Sequence, residues 1–249
     1  MMNPAEFANI AAAERDLWWY RGMRDILFGM LDPIAKQRHF ERVLEAGCGT
    51  GYLSRLLRGR YEWNIVPLDA DADGLQYARQ AGTRSLVQGN IAALPFASAS
   101  FDALLSIDVV PHLERGCEQA TFDEFARVLR PGGLLVLRAA ALDLLHSRHS
   151  EFVREKQRFT RSQLTDALEL AGFRIEHSTY ANSLLLPVAL FKFRVWEPLT
   201  RQKPQSGVQH VPKWLDQLLY LPLRAEAGWI SRGGSLPIGQ SVVLVAYKS

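Results

Sequence analysis

Short apolar runs alternate with helical patterns from about residue 41 onward. The runs are bounded by Gly, Pro or Asp and predict strands at 42–46, 63–69, 84–88, 101–107 and 134–139. The segments between them predict helices over 50–58, 71–81 and 118–129. In the last of these, Phe122, Phe125 and Leu129 share one helical face. The alternation predicts an α/β fold, a doubly wound parallel sheet with helices on both faces.

The pattern continues towards the carboxyl end of the chain. Arg130-Pro131-Gly132-Gly133 predicts a turn that stops a helix and leads into the next strand. A further helix is expected over 161–172, with Gly172 at its end, followed by strands at 173–180 and 240–248.

Two segments lie outside this alternation. Residues 1–40 are mainly helical in pattern, and residues 181–238 are rich in Leu, Pro and Trp without a regular period. We therefore expect one domain over 1–249, with a cofactor-binding core at 41–180 and a final strand at 239–249. Residues 1–40 would form a helical cap and 181–238 an insertion or lid.

Composition and charge narrow the function classes. The 249 residues are 48% hydrophobic and 22% charged, as in an ordinary globular protein. A net charge of +3 with scattered basic residues does not indicate a nucleic-acid partner. Cys48 and Cys117 have neither metal-ligand nor disulfide-framework spacing. No metal site is therefore expected. Because the sequence shows no leader pattern and no apolar run long enough to span a bilayer, a cytoplasmic protein is expected.

The stretch VLEAGCGTGYL, residues 43–53, has the form of a strand, a glycine loop and a helix start. Dinucleotide loops need G-x-G-x-x-G, but Tyr52 stands where the third glycine would fall. A triphosphate loop needs Lys directly after its last glycine, and none follows Gly51. Glu45, just before the loop, opposes an anionic ligand and suits a cationic one.

Asp69 ends the second predicted strand, 69 − 49 = 20 residues beyond the middle glycine. An acid at about this distance binds the ribose diol in nucleoside-binding folds. The two features together indicate an adenosine-like ligand without phosphate and with positive charge. S-adenosylmethionine matches this description.

The same residues resemble the class I S-adenosylmethionine-dependent methyltransferases, in the large type 11 group that includes quinone-biosynthesis enzymes. The resemblance covers most of the chain and is carried by Glu45–Gly51, Leu68–Asp71, Gln88–Phe96 with Ser100–Asp102, and Arg130–Gly133. Asn90 stands where the family usually has Asp as a contact to the adenine amino group. The resemblance implies a Rossmann-like sheet of seven strands whose last strand runs antiparallel.

A finer resemblance to a bacterial subgroup of these enzymes lies outside the core. It is carried by Trp18–Arg21, by residues 145–164 and by the ending Leu236–Ser241. That subgroup more often has Asp at the position of Ser150 and Tyr at that of Phe159, so a different acceptor is one interpretation.

The cofactor site is expected to combine the loop with the ends of the neighbouring strands. Glu45 either binds the cofactor ammonium or bonds the loop backbone. Arg21 either pairs with the cofactor carboxylate, with Tyr20 beside it, or is solvated. The complete predicted set is Tyr20, Arg21, Glu45, Gly47, Cys48, Gly49, Asp69, Ala70, Asn90, Ile91 and Ile107.

The acceptor side is expected after strands four, five and six. His112 is a candidate general base, with helix capping as the alternative. His146, His149, Tyr180 and Asn182 are candidate acceptor contacts, and core packing is the alternative for Tyr180. Cys48 is interpreted as a small filler and Trp18 and Trp19 as helix packing.

The function predicted is methyl transfer from S-adenosylmethionine to a small-molecule acceptor, with S-adenosylhomocysteine as product. Two alternatives remain: a methyltransferase-like protein that binds the cofactor without turnover, and an enzyme with a lipid-like acceptor. A nicotinamide oxidoreductase is disfavoured by Tyr52 and Glu45. The stretch 184–199 is interpreted either as a helix over the pocket mouth or as an apolar surface that contacts a lipid acceptor or membrane.

Overall fold

A computed structural model describes residues 2–200, 203–209 and 211–249. Seven strands form one sheet in the order β3-β2-β1-β4-β5-β7-β6. Neighbouring pairs among β1 to β5 are parallel, whereas β7 is antiparallel to both β5 and β6. The predicted sheet with an antiparallel last strand is confirmed. The strands are β1 Arg42–Ala46, β2 Asn64–Asp69, β3 Val87–Gln88, β4 Phe101–Ile107, β5 Leu129–Ala140, β6 Phe173–Ala181 and β7 Ser241–Lys248.

Helices cover both faces of this sheet. One hydrophobic cluster joins α2, α3 and α10 to the sheet, through residues such as Met23, Leu57 and Ile230. The other joins α5 and α7 to the opposite face, through Phe122 and Leu164. The helices are α1 Pro4–Ala13, α2 Trp18–Gln37, α3 Tyr52–Tyr61, α4 Ala72–Gln80, α5 Glu118–Val128, α6 Arg148–Phe152, α7 Arg161–Leu170, α8 Leu186–Phe191, α9 Glu197–Thr200 and α10 Lys213–Ile230.

Two predicted boundaries were wrong. The third strand has only two residues, because Ser85 takes a left-handed conformation with φ 61° and interrupts the extended backbone. Arg130–Gly133 does not precede β5 but lies within it. Phe101 pairs with Leu129 and Ala103 with Leu134, so these four residues bulge out between two ladder pairs instead of ending the pairing.

The amino-terminal helices pack against a helix of the 181–238 segment. A β carbon added to Gly22 of α2 would lie 2.4 Å from Cβ of Leu223 in α10, so the two helices cross closely at this glycine. Asp216 of α10 accepts a hydrogen bond from the Trp18 backbone nitrogen at 2.8 Å and thereby caps α2. Tyr220 donates to Asp25 at 2.5 Å. The two segments outside the alternation are thus joined to each other.

Residues 181–238, whose sequence has no regular period, nevertheless contain helices. α10 is an 18-residue helix whose buried side carries Leu223, Ala227 and Ile230. Its other side carries exposed Leu and Trp side chains. Because apolar residues lie on two sides, the single apolar stripe that marks an amphipathic helix is obscured. Within the described ranges, no helix is long and apolar enough to cross a membrane.

Candidate cofactor and acceptor site

The glycine loop between β1 and α3 is tied to the end of β2. The backbone nitrogens of Gly47 and Cys48 both donate to the Leu68 carbonyl oxygen, at 2.7 and 2.9 Å. Gly47 has φ 96°, and a β carbon there would lie 2.1 Å from Cγ2 of Val109. Only glycine fits this position, because a side chain would make the positive-φ backbone unfavourable and would clash with Val109, which follows β4.

Asp69, at the end of β2, faces the loop. Its Oδ2 accepts a hydrogen bond from the Gly49 nitrogen at 2.7 Å, and its Oδ1 accepts one from the Asp71 nitrogen at 2.9 Å. Burial raises the pKa of Asp69, while these N–H groups oppose that rise. Each carboxylate oxygen retains acceptor capacity for a further hydroxyl. The loop and the predicted ribose ligand therefore form one connected unit.

Glu45 is buried in β1, 3% exposed, directly before the loop. The Ser54 hydroxyl of α3 donates to its Oε2. Burial, and after it the charge of Asp69, raises the pKa of Glu45 to about 8 despite the Ser54 bond. A carboxyl group in this position becomes ionised most readily when a cation lies beside it.

The predicted adenine-side residues lie at the ends of β2, β3 and β4. Asn90 is exposed, and its Oδ1 accepts from the Ala92 nitrogen at 3.0 Å, leaving that oxygen a second lone pair. Ala70 is exposed beside Asp69, and Ile91 is buried. Ile107 is the last residue of β4.

Helix α1 covers the loop, which the sequence did not indicate by any motif. Phe7 is 2% exposed, and a β carbon added to Gly74 of α4 would lie 2.8 Å from its ring. Glu14, at the end of α1, accepts a hydrogen bond from the Thr50 hydroxyl at 2.5 Å. Burial raises the pKa of Glu14. The predicted helical cap thus contributes both an aromatic ring and a carboxyl group at the loop.

Tyr20 and Arg21, adjacent at the start of α2, have different surroundings. Burial raises the pKa of Tyr20, and the charges of Glu6, Glu14 and Asp108 raise it further. Arg21 instead forms an ion pair with Asp216 at 3.3 Å and lies 4.2 Å over the Tyr220 ring. The structure therefore gives the Arg21 guanidinium a carboxylate partner within the chain.

A partly buried ion pair at the ends of β4 and β5 was missed by the sequence reasoning. Arg138, 8% exposed, donates from Nη2 to Asp108 Oδ2 at 2.6 Å and from Nε to Oδ1 at 3.0 Å. Its guanidinium lies 5.3 Å from the centre of the Trp19 ring. Asp108 has φ 60°, a left-handed conformation that turns the chain sharply after β4. An Arg inside an apolar strand was the available signal, since an Arg there needs a partner.

His112 follows β4 in a short 3₁₀ turn, Val110–His112. Its Nδ1 is buried without a hydrogen-bond partner in the described chain. Burial lowers the pKa of His112, while the charges of Glu155 and Asp108 oppose this shift. A neutral imidazole with an unpaired ring nitrogen can accept a proton.

The other two candidate histidines are held by neighbouring polar groups. His149 Nδ1 accepts a hydrogen bond from the Gly207 nitrogen at 2.9 Å and lies 3.8 Å from Glu6 Oε1. Burial, with the charge of Arg158, lowers the pKa of His149 to about 4. His146 is more exposed, with Nδ1 4.0 Å from Glu155 Oε1.

The two predicted acceptor residues at the end of β6 differ in their hydrogen bonding. Tyr180 is 7% exposed within the hydrophobic core, and its hydroxyl accepts from the Arg161 nitrogen at 3.1 Å. Asn182 is buried with φ 56°, and its Oδ1 has no partner in the described chain. Ser150, which departs from the subgroup pattern, accepts a hydrogen bond from Arg158 at 3.0 Å.

Cys48 is a buried residue of the loop, and a cavity lies on the outer side of the loop. Burial and the charges of Glu45 and Asp69 raise the pKa of the Cys48 thiol, which fits a small filler. A surface cavity of about 460 Å³ lies beside the loop, lined by residues of α1, α3 and α4 that include Glu14, Thr50 and Tyr77. Neither Glu45 nor Asp69 lines it. Among the described residues, no group of three or more His, Cys, Asp or Glu could hold a metal ion.

Comparison with known proteins shows that the chain is similar to methyltransferases. Residues 44–137 match the type 11 family described as a methyltransferase domain. This match and the relatives described below support a class I S-adenosylmethionine-dependent methyltransferase, as the sequence predicted. These enzymes take S-adenosylmethionine as their methyl donor.

Two curated methyltransferases illustrate the similarity. A probable S-adenosylmethionine-dependent methyltransferase of Mycolicibacterium smegmatis is 31% identical over 66% of this chain and 62% of its own length. A malonyl-[acyl-carrier protein] O-methyltransferase of Enterobacter lignolyticus is 35% identical over 63% of both chains. The chain thus spans less than two thirds of the length of these relatives.

A solved structure extends the comparison to the fold. The S-adenosylmethionine-dependent methyltransferase of Mesorhizobium loti superposes with a TM-score of 0.56 over 87% of this chain and 96% of its own. At 17% identity, this likeness concerns the methyltransferase fold alone.

Proposed function

We propose that this chain transfers a methyl group from S-adenosylmethionine to a small organic acceptor. The observation that carries the proposal is the bond from the Gly49 nitrogen to Asp69 Oδ2, 2.7 Å long, which joins the glycine loop to the acid at the end of β2. Such a pair suits a ligand that has a ribose diol, and the Glu45 carboxyl group beside the loop disfavours a phosphate there.

The charge of the site supports a cationic donor. Buried or half-buried carboxyl groups surround the loop from three elements: Glu45 from β1, Asp69 from β2 and Glu14 from α1. Burial raises the pKa of each, so an uncompensated negative charge there is costly. A sulfonium or ammonium group beside them would offset that cost.

Within this proposal, Asp69 holds the ribose and Asn90 the adenine, while Gly47 and Gly49 let the backbone approach the methionine portion. Bound S-adenosylmethionine supplies an already activated methyl group on a positively charged sulfur. The chain then has to align the acceptor, and alignment alone contributes several kcal/mol to such reactions.

His112 is the proposed general base. Its buried Nδ1 has no partner in the described chain and lies at the carboxyl edge of β4. When the acceptor is a hydroxyl, His112 takes the acceptor proton as the oxygen–methyl bond forms. The Asp108–Arg138 pair and the Trp19 ring would form the adjoining wall of the acceptor pocket.

A small acceptor is the finer part of the proposal. The relative from Enterobacter lignolyticus is named a malonyl-[acyl-carrier protein] O-methyltransferase, so its acceptor includes a malonyl group. In this chain, the Arg138 guanidinium is already paired with Asp108. An acceptor with a hydroxyl or amine therefore fits the site better than a free carboxylate.

Titration calorimetry with S-adenosylmethionine, S-adenosylhomocysteine and NAD tests the donor. We expect both sulfur ligands to bind and NAD not to bind. Asp69→Ala should weaken cofactor binding by about 1.5–3 kcal/mol, the scale of a charged hydrogen bond. Asp166→Ala, at an exposed acid on α7, is the matched control and should bind as the wild type.

Binding of NAD without either sulfur ligand would overturn the proposal, and an unchanged affinity of Asp69→Ala would remove Asp69 from the site. Formation of S-adenosylhomocysteine in the presence of small hydroxyl or amine acceptors then distinguishes an enzyme from a cofactor-binding protein without turnover.

A further inference from the structure

The helices of the 184–230 region expose two apolar stripes. Leu184, Val188, Phe191, Val195 and Leu199 follow one another at intervals of four or three residues, and each is 44–75% exposed. On α10, Trp214, Leu218 and Leu221 are spaced in the same way, Trp229 follows eight residues later, and all four are 55–69% exposed. The second set lies along one face of α10. The first set runs from the turn before α8 through a π-helical stretch, Lys192–Trp196, to α9, and both sets are exposed to solvent.

The two stripes are joined at one end. Glu226 on the buried side of α10 accepts hydrogen bonds from the backbone nitrogens of Ser183 and Leu184, at 2.8 and 2.7 Å. Leu184, the first residue of one stripe, is therefore anchored beside the carboxyl half of the helix that carries the other. Together the stripes expose nine large apolar side chains, more than a scattering of single ones.

Tryptophan use separates this surface from the rest of the molecule. Three of the six tryptophans, Trp196, Trp214 and Trp229, lie here and are 56–69% exposed. By contrast, Trp63 is 3% exposed in the core. Indole side chains are enriched at the membrane–water interface, where the ring is apolar and the N–H remains hydrated.

The charges beside the stripes are basic. Residues 184–238 contain seven Lys or Arg and three acids. Each of the three acids is already occupied within the chain: Glu197 accepts from the Arg148 nitrogen, Asp216 pairs with Arg21, and Glu226 is buried. Among the described residues of this region, the exposed basic ones are Lys192, Arg194, Lys203, Lys213, Arg224 and Arg232.

We propose that the surface formed by these two stripes and their basic residues docks on an anionic phospholipid bilayer. Apolar side chains would enter the headgroup region while Lys and Arg contact lipid phosphates, as in interfacial amphipathic helices. A second copy of the chain fits less well, because pairing of like faces would bring the basic residues together. The association is peripheral.

Vesicle flotation tests the proposal without cofactor or acceptor, so its result is independent of the proposed activity. The probes are vesicles of phosphatidylcholine alone and of phosphatidylcholine with about a third phosphatidylglycerol. We expect the bound fraction on anionic vesicles to exceed that on neutral vesicles by about tenfold, and to fall as salt is raised, because each basic residue adds attraction at the membrane surface.

Variants separate the apolar from the charged contribution. The triple variant Trp214→Ser, Leu218→Ser, Leu221→Ser should lose about tenfold or more in vesicle binding, and Lys213→Glu with Arg224→Glu should abolish the preference for anionic lipid. Leu170→Ser is the matched control, since Leu170 is 77% exposed on α7 and outside the stripes. Calorimetry with S-adenosylmethionine checks that each variant is folded.

Equal binding to both vesicle types, no binding to either, or wild-type binding by the triple variant would overturn the proposal. So would a stable dimer that light scattering detects and that the triple variant abolishes, because a second copy would then cover this surface.

Discussion

The two sides of the candidate site are built in different ways. On the cofactor side, the groups come from short motifs: Glu45 to Gly51, Asp69 and Asn90, each at the end of a consecutive parallel strand. Backbone hydrogen bonds tie these motifs together, as in the donation of Gly49 to Asp69.

The proposed acceptor side is assembled from distant parts of the chain. Arg138 of β5 meets Asp108 after β4 and the Trp19 ring of α2. Glu6 of α1 accepts from the Ser206 hydroxyl at 3.0 Å and lies near His149. Its polar groups interact through side chains, so one substitution can change the acceptor side while the loop stays intact.

The largest expected effect is that of Gly47→Ala on the cofactor side. Positive φ and the approach to Val109 should together lower the free energy of unfolding by about 3 kcal/mol and abolish S-adenosylmethionine binding. Denaturant unfolding measures the loss. Gly82→Ala is the control, because Gly82 also has positive φ but nothing within 4 Å of an added β carbon. It should cost about 1 kcal/mol, and equal costs would contradict a steric role for Val109.

Arg138→Met should affect the acceptor side alone. Asp108 would lose its partner, and since its side chain is 35% exposed, we expect a loss of about 2 kcal/mol in unfolding free energy, less than for a fully buried pair. Affinity for S-adenosylmethionine should stay within about twofold, and calorimetry measures both the binding and the folded fraction. Arg174→Met, at an exposed pair with Glu176, should cost under about 1 kcal/mol. A large loss of cofactor affinity in Arg138→Met would show that the two sides are not separable.

The smallest expected effect is the pH dependence of cofactor binding through Glu45. Its pKa of about 8 means that the carboxyl group is protonated at neutral pH without ligand. A cation bound beside it lowers that pKa, so binding releases a proton and tightens as pH rises from about 5.5 to 7.5, by at most about tenfold per pH unit.

The contribution of Glu45 to folding stability falls as pH rises, whereas the cofactor affinity increases. Because the folded pKa of Glu45 lies above its unfolded value, its contribution to stability is present below about pH 4.5 and is lost as pH rises through about 8. For the binding effect, calorimetry of S-adenosylmethionine binding in buffers of different ionisation enthalpy counts the protons that are released. Glu45→Gln should remove the release, and a proton count that the variant leaves unchanged would assign the effect to another group.

The sequence was most informative where chemistry and local structure share one motif. The loop glycines, Asp69 and the alternation of elements predicted the sheet and the position of the cofactor site. It was less informative where partners are far apart: the two interpretations of Arg21 were a cofactor carboxylate and solvent, whereas Asp216, 195 positions later, pairs with it in the structure. Phe7 and Glu14 belong to no motif, and only the packing of α1 brings them to the loop.

By itself, the sequence determined the doubly wound sheet and the cofactor loop, because periodicity and glycine spacing are properties of neighbouring residues. The tertiary structure alone decided that Arg138 pairs with Asp108, that α10 caps α2 through Asp216, and that two apolar stripes remain uncovered. A side chain's partner and its exposure depend on which distant elements fold against it, and that choice is made by the packing of the whole chain.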